Sequence, residues 1–149
     1  MKPVFGLINI QADERGRIRI PALYRTSLGE TRIYAYKNKK GNYLSLFGED
    51  TLESLLSKLS SGIDVEEDEA VEDIRDIYMN IFEIVEDKQG RFTIPQYLRD
   101  ELKLSKDIVF IGMGKKIEMW DKAAHDEYVQ SRRQKSGVVT TADGKPLTY

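Results

Sequence analysis

The chain carries one short passage twice, and this repetition restricts its fold more than any other feature. Asp13, Gly16, Arg17, Ile20, Pro21, Arg25 and Leu28 recur in register as Asp87, Gly90, Arg91, Ile94, Pro95, Arg99 and Leu102, seven identities in the seventeen aligned positions 13–29 and 87–103. The repeat predicts two similar halves. In a chain of 149 residues, halves this small are expected to share one core.

The residue types describe the unit. Asp13 and Gly16 suit a tight turn, because a carboxylate accepts nearby amide hydrogens and glycine tolerates positive φ. The run Arg17, Ile18, Arg19, Ile20 alternates, so a strand there turns its isoleucines to the core and its arginines away. Pro21 ends that strand and suits the first turn of a short helix, with Leu23, Tyr24 and Leu28 on the buried side and Arg25 nearer the surface. Asp87, Gly90 and Pro95 repeat the pattern, with Lys88 and Arg91 as the basic residues of the second turn. Strands are expected before each turn, at 4–10 and 81–86. Further strands are expected at 32–36 and 43–47 in one half, and at 107–111 and 117–120 in the other.

Each half then closes with a helix. Leu52, Leu55, Leu56 and Leu59 form one stripe, with Asp50 or Thr51 as the cap. Asp121 can cap a second helix that runs toward Arg132, with Tyr128 and Val129 facing inward. Ala70, Val71, Ile74, Ile77, Tyr78 and Ile81 mark a connecting helix between the halves. The expected organisation is a first half at 1–61, an acidic connecting helix at 62–80, a second half at 81–131 and a mobile tail at 132–149.

Charge is unevenly distributed. From Gly62 to Asp87 there are eleven acids and one base, so this stretch carries −10 of a net −2 and leaves +8 for the remainder. The first forty residues hold nine bases and three acids. Local patches therefore govern binding more than the total does. The acidic run reads as the solvated side of a helix, or as a docking surface for a basic partner.

Several classes of chemistry are excluded. There is no cysteine, and His125 is the only histidine, so neither thiolate chemistry nor a His- or Cys-built metal site is expected. No nucleophile–base pair or phosphate loop stands out, so neither an enzyme nor a cofactor is expected. His125 reads as a surface or packing residue, and Trp120 as core filling. The longest apolar run, 108–113, is too short to span a bilayer, and the first residues lack the apolar stretch of a signal peptide. The expectation is a cytoplasmic protein without membrane contact.

The basic residues Arg15, Arg17 and Arg19, with Lys88 and Arg91, are expected on turn tips and an exposed strand face. A two-stranded ribbon bearing guanidinium groups can enter the major groove of DNA. Arg17 and Arg91 can equally pair with Asp13 and Asp87 and lock the turns, and the two roles are compatible.

At these residues the sequence resembles the AbrB-like, or SpoVT-AbrB, swapped-hairpin family. The resemblance rests on Gly16 to Pro21 followed by Tyr24, Arg25, Leu28 and Gly29, and on a second copy at 90–104. Two such repeats in one chain is the arrangement of the MraZ family, which Phe5 and Gly6 in the first strand and the closing run 108–121 support. The resemblance implies a mostly β fold with short peripheral helices (α+β), in which interlocked hairpins from both halves make a pseudo-twofold barrel. It implies a closed ring of subunits. It also implies a repressor, associated with the nucleoid, that binds direct repeats in the promoter of the division and cell-wall gene cluster containing its own gene. By motif, Arg17 and Arg91 inherit the DNA-contact role, with Arg15, Arg25 and Arg99 after them. The rival reading is a ring scaffold that does not bind DNA.

Overall fold

In the computed structural model of the protein, residues 3–29, 32–39, 41–61 and 68–133 are described. The elements run β1 (Val4–Gln11), β2 (Ile18–Arg19), α1 (Ala22–Leu28), β3 (Ile33–Lys37), β4 (Tyr43–Gly48), α2 (Glu49–Ser61), α3 (Asp68–Met79), β5 (Ile81–Ile84), β6 (Arg91–Phe92), α4 (Gln96–Glu101), β7 (Asp107–Gly114), β8 (Ile117–Asp121) and α5 (Lys122–Arg133). The expected class is observed, mostly β with short helices.

Six strands form one antiparallel sheet in the order β1-β7-β8-β4-β3-β5. Exchanging each strand for its counterpart in the other half reverses this order and leaves it otherwise unchanged. The sheet therefore has a pseudo-twofold axis between β8 and β4, where Ser45 pairs with Glu118. Each half contributes a hairpin, and each hairpin's outer edge is covered by the first strand of the other half. β1 pairs with β7 over its whole length, from Val4 opposite Gly114 to Gln11 opposite Asp107, and β5 pairs with β3. Pairing an otherwise open edge satisfies its backbone groups and joins the halves through main-chain hydrogen bonds. The sheet does not close into a barrel among the described residues.

The turn after β1 does not lead into a hairpin partner for it. β2 leaves the sheet and pairs with β6 from the other half, Ile18 opposite Phe92 and Arg19 opposite Arg91. The ribbon that carries the arginines is thus assembled from both repeats. Its inner side, Ile18, Ile20, Phe92 and Ile94, is buried against the sheet, as the alternation requires.

Tyr24 ties the first half to this joint. Its ring is fully buried, and its hydroxyl donates to the Gly6 carbonyl at 2.7 Å. Burial pushes the phenol above its ordinary value, with the Gly112 amide opposing. Gly112 lies opposite Gly6 in the register, and a Cβ there would stand 2.5 Å from the Phe5 amide nitrogen, so β1 and β7 approach closely only because no side chain intervenes. Of the side chains expected beneath α1, Tyr24 and Leu28 are buried but Leu23 is 65% exposed. Pro21 and Pro95 stand one position before their helices, at the N-cap, and not inside the first turn.

On the opposite face of the sheet, Trp120 is buried in an aromatic group separate from the main core. It stacks on Tyr43 at 4.7 Å and meets His125 edge-on at 5.5 Å and Tyr128 at 5.2 Å. Its indole N–H donates to the buried Glu118 carboxylate at 3.1 Å, which satisfies both groups out of water. His125 is thus a packing residue, and Tyr128 packs on Trp120 while remaining about half exposed.

Asp121 caps α5 by accepting from the Ala123 amide at 3.1 Å. The expected cap of α2 is displaced: that helix begins at Glu49, and Thr51 donates instead to the Lys115 carbonyl. Of the connecting helix's stripe, Ile74 and Ile77 are half-buried and Tyr78 is half exposed, whereas the Ala70 and Val71 side chains lie outside the described residues. Residues 62–67, at the start of the acidic segment, and 134–149, in the expected tail, also lie outside them.

The second short helix ends in a Schellman motif, with the Leu104 amide donating to the Arg99 carbonyl at 2.9 Å and the Lys103 amide to the Asp100 carbonyl at 3.2 Å. This places Lys103 at φ 52, where its counterpart Gly29 has φ 76. A side chain is disfavoured in that region. Lys103→Gly is therefore expected to raise stability by about 1 kcal/mol, read as a higher urea midpoint with an unchanged slope. A lower midpoint would mean that the lysine makes a contact worth more than its backbone strain.

A candidate nucleic-acid interface

The two repeated turns are closed by the same set of hydrogen bonds. In the first, Asp13 Oδ1 accepts from the Arg15 amide at 2.9 Å and the Arg17 amide at 2.8 Å, while Oδ2 accepts from Arg17 Nε at 2.5 Å. In the second, Asp87 Oδ1 accepts from the Gln89 and Arg91 amides, both at 2.9 Å, and Oδ2 accepts from Arg91 Nε at 3.0 Å. The carboxylate thus organises its own turn and orients the arginine that follows. Gly16 and Gly90 occupy the positive-φ position, at 76° and 75°.

The lock has an electrostatic consequence. The Arg17 amide, ahead of the Arg17 guanidinium and the Arg15 amide and against partial desolvation, holds the Asp13 carboxyl below its ordinary 3.8. The Arg91 amide does the same for Asp87. A carboxyl depressed in the folded state contributes stability that is fully present above its unfolded value and disappears as pH falls through the folded one. The advantage of wild type over an Asp13→Asn, Asp87→Asn double variant is therefore expected to be flat above about pH 5 and to vanish on acidification below 3.8. A pH-independent difference in unfolding midpoint would rule this out.

Arg17 and Arg91 use only Nε in these pairs. The terminal nitrogens, the edge that grips a guanine or a phosphate, have no hydrogen-bond partner among the described residues. On the outer side of the β2–β6 ribbon, Arg19 is exposed and lies directly opposite half-buried Arg91. Arg17, two residues before Arg19, shares that side. The ribbon therefore gathers three arginines from the two repeats. Arg15 and Lys88 are exposed on the two turns.

Arg25 and Arg99 are placed differently, for each crosses to the other half's turn. The Arg25 guanidinium pairs with Glu86 and donates to the Gly90 carbonyl at 3.3 Å. Arg99 lies over Gly16, where a Cβ would stand 2.5 Å from its Nη2. Both are half-buried and lie between the halves, and Arg25 braces the second turn through its contacts with Glu86 and Gly90.

Glu86, which lies one position outside the aligned passage, and Lys106, which borders the first turn, are not marked by the repeat. Only the residue before the motif could have signalled the first: Glu86 aligns with Ala12. The acidic connecting helix is also partly used within the chain, since Asp76 pairs with Lys39 at 2.5 Å. That carboxylate raises the Lys39 pKa. Among the described residues no cluster of three or more histidines or acids is placed to hold a metal. No described helix is long and apolar enough to cross a membrane.

Comparison with known proteins gives a consistent set. The family model described as "MraZ protein, putative antitoxin-like" matches residues 77–143. The chain is 34% identical over 121 residues to the transcriptional regulator MraZ of Caldanaerobacter subterraneus subsp. tengcongensis, covering 80% of this chain and 81% of that protein. It is 30% identical over 132 residues to the transcriptional regulator MraZ of Bifidobacterium longum, covering 88% and 85%. It is 32% identical over 126 residues to that of Acetivibrio thermocellus, covering 83% and 85%.

Proposed function

The chain belongs to the MraZ family of transcriptional regulators, and from that membership we propose that it binds promoter DNA directly through the β2–β6 ribbon and its two turns. The reading includes sequence-specific repression of the division and cell-wall gene cluster that contains its own gene, by a nucleoid-associated ring whose subunits meet successive direct repeats. One observation carries it: Arg19 faces Arg91 across a two-residue ladder, with Arg17 beside them. Like charges directly opposite one another in a sheet are destabilising. A polyanion laid along the ribbon turns that repulsion into attraction, and a β-ribbon has the width to enter a major groove. Asp13 and Asp87 orient two of the guanidinium groups beforehand, which lowers the entropy lost on binding.

The ends of the sheet support self-association. β1 and β5 are its outer strands, and Phe5 at 79% and Val85 at 77% exposure are apolar groups beside them. Contact between unlike edges of successive copies is heterologous, and such contacts close into a ring when the rotation from copy to copy closes. A ring would present many weak ribbons at high effective concentration to repeated sites.

The test is fluorescence anisotropy on the DNA upstream of the protein's own gene and on random DNA, at two salt concentrations. The expected result is preference for the upstream DNA and a steep loss of affinity with salt, by roughly 0.9 in the log–log slope for each phosphate neutralised. Absence of binding, or binding insensitive to salt, would favour the scaffold reading instead.

A further inference from the structure

The pseudo-twofold symmetry is broken beside the first turn in a way that leaves the Arg99 charge without a partner among the described residues. In the second half, the Arg25 guanidinium is met by the Glu86 carboxylate. In the first half, Arg99 occupies the matching position over Gly16, but the residue aligned with Glu86 is Ala12. Where the second half holds a carboxylate, the first has a cavity of about 210 Å³ bordered by Ala12, Arg99 and Lys106. Arg99 is half-buried and has no side-chain hydrogen bond or ion pair among the described residues.

Two acids also border the cavity, and neither replaces the missing partner. The Asp13 oxygens already accept from two amides and from Arg17 Nε. Glu14 is exposed to solvent, without an ion pair among the described residues. A partly desolvated guanidinium favours a charge-assisted hydrogen bond to an oxyanion.

We propose that this cavity binds a single oxyanion group, a carboxylate or a phosphate, on Arg99 with Lys106 at the rim, in the place that Glu86 fills against Arg25. The bound group braces the first turn as Glu86 braces the second. It comes either from a free small anion or from a backbone phosphate of bound DNA. The site stands without the DNA-binding reading. Only its coupling to the ribbon rests on that reading.

The first arm of the test uses no DNA. Acetate and inorganic phosphate are titrated separately into the intact protein at constant ionic strength, followed by melting temperature and by the NMR signals of the arginine N–H groups. A free-anion site predicts a saturable rise in melting temperature for wild type and none for Ala12→Glu, which supplies the carboxylate internally. Arg99→Gln is expected to weaken the response about tenfold or more. Glu86→Ala is expected to bind a second equivalent, at the second turn.

The second arm compares the salt dependence of DNA affinity for wild type and Ala12→Glu. A DNA phosphate in the cavity predicts a slope shallower by about 0.9 in the variant, with no saturable response to free anions. The proposal is overturned if neither an anion response nor a DNA salt slope differs between wild type and both Ala12→Glu and Arg99→Gln. Should the protein bind no DNA at all, the first arm alone decides, so the two readings fail separately.

Discussion

Phe110→Ala is expected to destabilise the protein by about 3–5 kcal/mol, a large part of the roughly 5–15 kcal/mol that holds a domain of this kind folded. Phe110 is completely buried on β7 and packs against the Tyr24 ring, with centroids 6.4 Å apart. It lies between Ile8 of one half and Met119 of the other in the sheet register. The cavity would therefore open where the first half's strand joins the second half's hairpin, and the packed strands around it have little freedom to collapse inward. Because the halves share one sheet, unfolding is also expected to be a single transition, with Trp120 fluorescence and far-ultraviolet circular dichroism coinciding in urea. A loss below about 1 kcal/mol would place the stabilising joint elsewhere. Two separated transitions would mean that the halves fold independently.

Replacing Arg17, Arg19 and Arg91 together with alanine is expected to weaken DNA binding by at least about a hundredfold, since a good arginine contact is worth roughly 1–3 kcal/mol. The salt slope is expected to fall by up to about 2.7, three times the contribution of one phosphate contact. Arg17 and Arg91 also lock their turns, so the triple variant mixes loss of contact with loss of local structure. Arg19→Ala separates the two. Arg19 is exposed, has no side-chain partner among the described residues and faces a like charge, so its removal is expected to leave folding unchanged or slightly favoured. Affinity for upstream DNA should still drop about fivefold or more. Unchanged affinity in both variants would remove the ribbon from the interface.

The local unit was legible in the sequence because its parts act over a few residues. Asp13 reaches the amides two and four positions on, Gly16 supplies the positive φ, and the alternation of Ile18 and Ile20 with arginines sets the buried side. Helix details were less legible. Leu23 has the right type for a buried face, but α1 is two turns long and packs only one side, so that side chain is left in solvent. Thr51 reads as a cap until the Lys115 carbonyl offers it another partner.

The order of residue types along the chain specifies two copies of one turn–strand–helix unit, the residues that close each turn, and the buried side of each short strand. Which half each strand pairs with depends on long-range packing. Backbone amides and carbonyls are alike along the chain, so only the fit of a common core selects β7 for β1, and β6 for β2. That selection put Arg19 opposite Arg91, carried Arg25 to Glu86, and left Arg99 beside Ala12. These juxtapositions join residues roughly sixty to ninety positions apart. Periodicity and spacing encode only neighbours along the chain, which is why the turns and their outward arginines could be read from the sequence and the pairing of those arginines across the two halves could not.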